Sequence, residues 1–387
     1  MLQYNFPTTI LFGENSLKDL PTLLKDRGLK NLLLVTDKGL VKAGVSKKVI
    51  KILSSKSITL DIFDEVHSNP IEEDVTKGVT AFKNGKYDGL IALGGGSAMD
   101  AAKTIRFMVT HEPPLAQYDD ALGGDKKIVH PLPPLFAIPT TAGTGSEVGR
   151  SSVITLKETG KKTIFFHPGL MPDIVILDST LTIGLPAGVT AATGMDAFTH
   201  CLEAYLVDSF HPMADAIAVS GMKLIFENLP QVIQDPENLD ARGKMLLAAT
   251  MGATAFQKGL GMIHSMAHPL SAKHGLHHGL ANALLIPSSL EFTIQKSTDR
   301  KLKSLNDKLK NITEIISCNT LVDSDNLPYL LRGFINSTGI NFGLENENIS
   351  EDDIPQLAQL AVEDSCHLTH PFTITKEDFH HTLINAL

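Results

Sequence analysis

Four runs of continuous apolar residues punctuate the first half of the chain: NLLLVTD (31–37), YDGLIALGGGS (87–97), PPLFAIPTT (133–141) and PDIVILD (172–178). Each is apolar through its middle and ends in polar or Gly-rich residues. A strand with one face in water alternates polar and apolar positions. A continuous run predicts a strand covered on both faces, as in a parallel sheet. Between the runs, VTKGVTAFKNG (75–85) and AMDAAKTIRFM (98–108) carry helical spacing. Strand–helix alternation predicts a doubly wound α/β domain that binds ligands at the carboxyl ends of its strands.

The pattern then changes. LTIGLPAGVTAATG (181–194) is rich in Gly and Pro, and after it the apolar positions recur with helical period and no strand is predicted. NSTGINFGLENENIS (336–350) is polar and loop-like. The expected organisation is an α/β domain over residues 1–185 and an all-helical domain over 186–387, with the ligand site in the cleft between them.

Composition narrows the class. With 387 residues, 43% apolar and 20% charged, the chain is long enough for two cores. A net charge of −9, with no block of Lys or Arg on a predicted helix, argues against a nucleic-acid partner. The start, MLQYNFPTTILFG, lacks the basic opening and long apolar run of a signal peptide, and no stretch reaches the length of a membrane span. Three scattered cysteines, Cys201, Cys318 and Cys366, suit reduced thiols rather than a disulfide framework. A cytoplasmic protein with no membrane partner is expected.

Two Gly-rich loops carry the first chemistry. GGGSAMDAAK (94–103) sits where a predicted strand stops and a helix starts. Glycines there let the backbone approach a diphosphate, and free helix amides attract its charge. It is not the G-x-G-x-x-G fingerprint. TTAGTGSE (140–147) is expected to follow a strand and open a helix in the same way, offering hydroxyls on Thr140, Thr141, Thr144 and Ser146. One such turn is usually only a tight connection; two on neighbouring strand ends point to a nucleotide or phosphate ligand. Asp37 ends the first run. Alone it reads as a helix N-cap, but beside phosphate loops its carboxylate accepts both ribose hydroxyls and repels a 2′-phosphate, which favours NAD over NADP. Lys162, in GKKTIFF, is either a phosphate neutraliser or a solvated turn residue.

HSMAHPLSAKHGLHHG (264–279) holds five of the chain's fifteen histidines. In GMDAFTHCLEAYL, Asp196 and His200 are four apart and share a helix face. His264 and His268 have the same spacing near the end of a helix that Pro269 is expected to terminate, and His278 opens HGLANALLIP. A carboxylate with three imidazoles suits a divalent transition metal and leaves a position open for substrate. Spacing leaves open whether His268, His274 or His277 joins the set, and a polar hinge of solvated histidines is the competing reading.

In order and spacing, FPTTILFG, SNP (68–70), GGGSAMDAAK, IPTTAGTGSE, PDIVILD, GMDAFTHCLEAY, MIHSMAHPL and HGLANALLIP resemble the iron-containing (group III) alcohol dehydrogenase family over most of the chain. The resemblance implies an α/β NAD-binding domain with a parallel sheet, followed by an all-helical metal-binding domain that carries ferrous iron. General affinity order makes zinc the competitor. The family's metal ligands fall on Asp196, His200, His264 and His278, the last chosen over His277 because it immediately precedes Gly-Leu-Ala-Asn. The family's cofactor contacts fall on Asp37, Asn69, Gly95, Gly96, Ser97, Thr140, Thr141, Thr144, Ser146, Lys162 and Leu181. His268 matches a position that lines the site without binding metal; a proton relay or simple packing beside the nicotinamide are its two readings. The chain departs from the family pattern at Leu270-Ser271-Ala272, where Leu-Gly-Gly is common, and in the extra His274 and His277. It departs again at Gly149-Arg150-Ser151 and at His370-Pro371-Phe372, where Asn-Pro-Arg is usual.

The expected function is hydride transfer between NAD(H) and a small alcohol/aldehyde or ketone pair, with the metal polarising the substrate oxygen. The rival is a relative acting on a phosphorylated polyol or as a metal- and NAD-using cyclase. It would need basic residues for a substrate phosphate, and the helical half is poor in them near the ligands. A homodimer is expected on frequency alone.

Overall fold

The computed structural model describes residues 4–6, 8–54, 58–317 and 322–387, so Cys318 lies outside the described residues. Two compact units make up the chain: residues up to Thr141 with Gly145–Ile183, and Ala142–Thr144 with Gly184–Leu387.

The first unit is built on six parallel strands: β1 (Thr9–Phe12), β2 (Asn31–Val35), β3 (Thr59–Phe63), β4 (Gly89–Gly94), β5 (Leu135–Pro139) and, after an antiparallel hairpin of β6 (Ser151–Thr155) and β7 (Lys162–Phe166), β8 (Ile174–Leu177). Their order across the sheet is β1-β8-β5-β4-β2-β3. The four inner strands are the four continuous apolar runs. Leu34, Ile91, Phe136 and Ile176 face one core with Leu20, Leu24 and Val49. The alternate positions Leu33, Leu90, Ala137 and Val175 are equally buried on the other face.

The apolar pattern misses the other strands for a physical reason. β1 and β3 are the sheet edges, and β6–β7 is a separate ribbon, so their residues are exposed in part or by alternation. Such segments carry no continuous apolar signature.

Strand order reverses between β2 and β4. β3 lies outside β2, while β5 and β8 lie beyond β4. Connections leaving in opposite directions open a crevice at the carboxyl ends of the two strands. Asp37 follows β2 and Gly95–Ser97 follow β4, so these residues border it.

Among its described residues the second unit is helical, without strands. Its central helix, Ala187–Leu206, packs against Pro212–Gln234, Leu239–Ala255 and His278–Asp299. Such contact on several sides matches its small and apolar composition and its buried length. No described helix is long and apolar enough to cross a membrane.

Two expectations fail. The helix that begins at Met262 runs through Pro269 to His274. A proline removes one backbone donor, but buried Met266, Ala267 and Leu270 hold this segment in the core, and packing outweighs the lost bond. The helix stops instead at Gly275, whose φ of 69° is left-handed. Nor does TTAGTGSE open an α-helix: Ser146–Val148 is a single 3-10 turn leading into β6. Only the GGGS loop offers a true helix N-terminus.

Arg106, in the helix Gly96–Met108, ties the first unit together from inside. Its guanidinium donates to the carbonyls of Pro133 (2.6 Å), Gly169 (2.8 Å) and Met171 (2.9 Å) and to Asp173 Oδ2 (2.6 Å). It thereby fixes the entries to β5 and β8. Arg106→Met strands the carbonyl acceptors and is expected to lower unfolding free energy by about 1–3 kcal/mol, since Asp173 is half-exposed and can turn to water. Urea unfolding of the variant measures this, and a loss below about 1 kcal/mol counts against the latch.

Candidate active site

In the first unit two loops meet at the switch point. Gly94, with φ of 151°, turns the chain out of β4, and Gly95 is the N-cap of Gly96–Met108. Thr140 N donates to Gly94 O at 3.0 Å, and a Cβ on Gly95 would lie 3.1 Å from Thr141 Oγ1. Ser97 Oγ donates to Ser68 O, which draws the segment carrying exposed Asn69 to the same edge. Asp37 divides its oxygens. Oδ1 accepts from Leu40 N at 3.0 Å and caps the helix Lys38–Lys42; Oδ2 lies on the Gly94 side. The N-cap and ribose readings of Asp37 are therefore compatible.

The other expected cofactor residues are placed less uniformly. Ser146 turns its hydroxyl inward, donating to Asp100 Oδ1 at 2.7 Å and accepting from Lys103 Nζ at 2.8 Å. Burial pushes Lys103 down to about 8, against the pull of Asp100 and Glu147. Burial also lowers Lys162, at the start of β7, with Asp100 opposing. Leu181 is buried in the core with Leu17 and Leu20, so its side chain is not offered to a ligand. Thr144 is exposed. It belongs to the short piece Ala142–Thr144 that packs with the second unit, where a Cβ on Gly143 would lie 2.9 Å from Thr193 Cβ. Thr193 precedes Asp196 by one helical turn.

In the second unit, three imidazole Nε2 atoms surround Asp196 Oδ1: His200 and His264 at 3.9 Å, His278 at 3.5 Å. These separations are too long for hydrogen bonds. They are close to the roughly 3.4 Å between ligand atoms placed about 2.1 Å from a tetrahedral metal. His264 Nε2 is buried without a hydrogen-bond partner. Its other nitrogen, Nδ1, lies 2.6 Å from Glu203 Oε2; donating there leaves the lone pair on Nε2. Burial would raise Asp196, but His200, His278 and His264 hold it below the usual carboxylate range. Burial lowers His264 and His278 well below the usual imidazole range, so both are neutral near pH 7. An ionised carboxylate with neutral imidazoles is the protonation state a divalent transition metal needs, so the donor set fits the iron that the sequence implies.

His278 reaches this set through Gly279. A Cβ at Gly279 would lie 2.0 Å from Ala192 O, so glycine allows the helix His278–Asp299 to press against Ala187–Leu206 beside Asp196. His274 and His277 are exposed and are not brought to the set. His268 is near it without converging on Asp196. Its ring stacks on His278 with centroids 5.2 Å apart, and its Nδ1 bonds Asp364 Oδ2 at 2.8 Å. Arg150, from the departing Gly-Arg-Ser segment, lies over the Phe166 ring.

Two residues of the site escape the sequence reading. Glu203 accepts from Ile263 N at 2.7 Å as well as from His264. Burial pushes it up to about 7, opposed by the N–H groups of Ile263, His264 and Gly261. A carboxylate behind a histidine ligand fixes its tautomer. The available signal was spacing, since Glu203 follows Asp196 by seven on a helix already marked by Asp196 and His200. Asn282 donates from Nδ2 to Asp196 Oδ1 at 2.9 Å, one turn after His278. Its signal was its place in the Gly-Leu-Ala-Asn stretch that follows His278.

Elemental analysis of purified variants tests the set. His264→Ala and His278→Ala are expected to lose metal, and His274→Ala and His277→Ala to keep it. Glu203→Gln should weaken metal affinity by about 10–100-fold. Gly279→Ala keeps all four donors yet should also lose metal, with about 1–3 kcal/mol of stability, because its Cβ forces the helices apart. Full occupancy in Gly279→Ala would contradict the close approach.

The comparisons identify the family. A family model for iron-containing alcohol dehydrogenase matches residues 7–179, and one for the C-terminal part of the Fe-containing alcohol dehydrogenase family matches 190–387. 4-hydroxybutyrate dehydrogenase of Cupriavidus necator is 38% identical over 93% of each chain. 1,3-propanediol dehydrogenase of Klebsiella pneumoniae is 35% identical over 96% of this chain and 95% of its own. A solved 1,3-propanediol oxidoreductase superposes over the full length of both chains with a TM-score of 0.92 at 34% identity. A sulfoacetaldehyde reductase of Bifidobacterium kashiwanohense, solved with NAD+, gives a TM-score of 0.87 at 26% identity over 100% of this chain and 98% of its own. The chain belongs to the iron-containing alcohol dehydrogenase family.

Proposed function

We propose that the chain interconverts a small primary alcohol and its aldehyde with NAD+/NADH, in the presence of a ferrous ion held by Asp196, His200, His264 and His278. The observation that carries this reading is the convergence of three imidazole nitrogens on one buried carboxylate oxygen. When bound, the iron supplies Lewis-acid polarisation of the alcohol oxygen and NAD+ takes up the hydride.

The chain's own residues have separable tasks in this reading. Gly95, Gly96 and Ser97, with Asn69, Thr140, Thr141 and Thr144, bind and orient the dinucleotide, and Asp37 Oδ2 accepts from its ribose. Ser146 supports the second loop from behind through Asp100 and Lys103. Lys162 adds positive charge near the phosphates, and Leu181 contributes backbone only. Glu203 keeps the His264 lone pair on Nε2. His268 accepts at Nε2 the hydroxyl proton that alcohol oxidation releases. Residues 1–185 then serve as the NAD-binding domain and 186–387 as the metal-binding catalytic domain of a cytoplasmic homodimer.

The relatives are named for 4-hydroxybutyrate, methanol and 1,3-propanediol. Short alcohols of this kind, plain or with a polar far end, are therefore the substrate class. The phosphorylated-polyol reading finds no support in them.

NADH formation with these three alcohols is the direct test. Activity is expected with NAD+, lost on chelation and restored best by Fe2+ rather than Zn2+; failure of all three alcohols after iron loading overturns the reading. Asp37→Gly removes the charge opposed to a 2′-phosphate and should raise use of NADP+ relative to NAD+ by at least about tenfold. If the unaltered protein already uses both equally, Asp37 has another role.

A further inference from the structure

We propose that Asp364 is a positioning residue for the oxidation, acting through His268; this rests on the reading of His268 given above. Asp364 is the C-cap of the helix Ile354–Glu363 and lies 96 residues from His268 in the chain. Its two oxygens have different partners. Oδ1 accepts from the Ser265 hydroxyl at 2.9 Å and from the Cys366 N–H at 2.8 Å. The Ser265 oxygen itself accepts from His367 N at 2.9 Å, which leaves its own proton for Asp364. Oδ2 faces His268 Nδ1 at 2.8 Å.

Burial would raise the Asp364 carboxyl. The His268 hydrogen bond and charge, the Cys366 N–H and the Ser265 hydroxyl together hold it well below the usual range. Both Asp364 oxygens face donors, two at Oδ1 and the ring at Oδ2, so the ring nitrogen that donates to Oδ2 is Nδ1. Nε2 is left with its lone pair. The ring plane is set independently, by stacking on His278 at an interplanar angle of 17° and an edge contact with His264, whose centroid is 6.1 Å away. Stacking alone leaves the ring free to turn over and exchange its two nitrogens. The bond to Asp364 removes that freedom. Ser265 and His268 are three apart on one helix, so a single helix face presents a donor to each oxygen of the same carboxylate.

The arrangement predicts an unusual effect for a nearly isosteric change. In Asp364→Asn, two donors still point at the Oδ1 position, so the amide oxygen stays there and the NH2 group turns toward His268. Nδ1 must then accept, and the ring proton moves to Nε2. Nitrogen NMR of histidine-labelled protein should show one Nδ1–H ring replaced by an Nε2–H ring in this variant. With metal content equal, kcat should fall at least about tenfold while KM for NAD+ stays within about threefold, as for loss of a positioned proton acceptor. Asp364→Glu should recover part of the rate. The double variant His268→Ala with Asp364→Asn should be no slower than His268→Ala alone, because both changes remove one function.

The outcomes separate the two readings. His268→Ala at the unaltered rate removes His268 from the proton path. Asp364→Asn at the unaltered rate, with His268→Ala slow, overturns the proposal for Asp364 alone. Additive losses in the double variant, or an unchanged ring tautomer, make Asp364 a packing residue.

Discussion

A buried carboxylate sets the terms for the helical unit. Asp196 is 3% exposed, on a helix buried along most of its length, where an uncompensated charge would destabilise the fold strongly. Three imidazoles and the Asn282 amide surround its Oδ1, and only the amide is within hydrogen-bond distance. None of the three imidazoles hydrogen-bonds this oxygen, and the four donor atoms stand at the spacing of ligands around one cation. Much else follows from holding these groups together. Glycine at 279 allows the helices to touch, Glu203 reaches across to His264, and the helix Met262–His274 continues past a proline.

The first unit meets a similar constraint by other means. The helix Gly96–Met108 must present free amides at its N-terminus while its far side is sunk against the sheet. Its buried face carries Asp100, Lys103 and Arg106, and each is satisfied from neighbouring segments rather than from water. Asp100 and Lys103 share the Ser146 hydroxyl, Val153 N donates to Asp100 Oδ2, and Arg106 gathers the carbonyls before β5 and β8. The polar interior of this helix thus fixes the second loop and the strands around the crevice, although none of these three side chains need touch a ligand. A buried network of this sort rigidifies because each member left unpaired is costly.

Orientation by carboxylates recurs through the helical unit. Glu203 stands behind His264, and Asp364 behind His268, each bonded to an Nδ1. One pair directs a lone pair at Asp196. The other directs a lone pair away from an acid anchored by Ser265 and Cys366. Two histidines one turn apart on the same helix are thus oriented by different acids, each through Nδ1.

The sequence by itself determined what depends on local pattern and chemical type. Continuous apolar runs require strands covered on both faces, and the inner strands β2, β4, β5 and β8 formed where those runs lie. The change of period after residue 181 marked the passage to helices, and motif order pointed to the family. Edge strands, the β6–β7 ribbon and the course of the helix through Pro269 were decided only in three dimensions, because partial exposure erases the apolar signal and core packing outweighs one missing donor. Spacing placed Asp196 with His200 and His264 with His268, yet it left His277 and His278 equal. The family motif singled out His278, and the close approach of Gly279 to Ala192 O is the physical reason the helix start turns that imidazole toward Asp196. Glu203 and Asn282 lay inside stretches the sequence had marked, but their partners, like that of Asp364, are 61, 86 and 96 residues away and were set only by the fold.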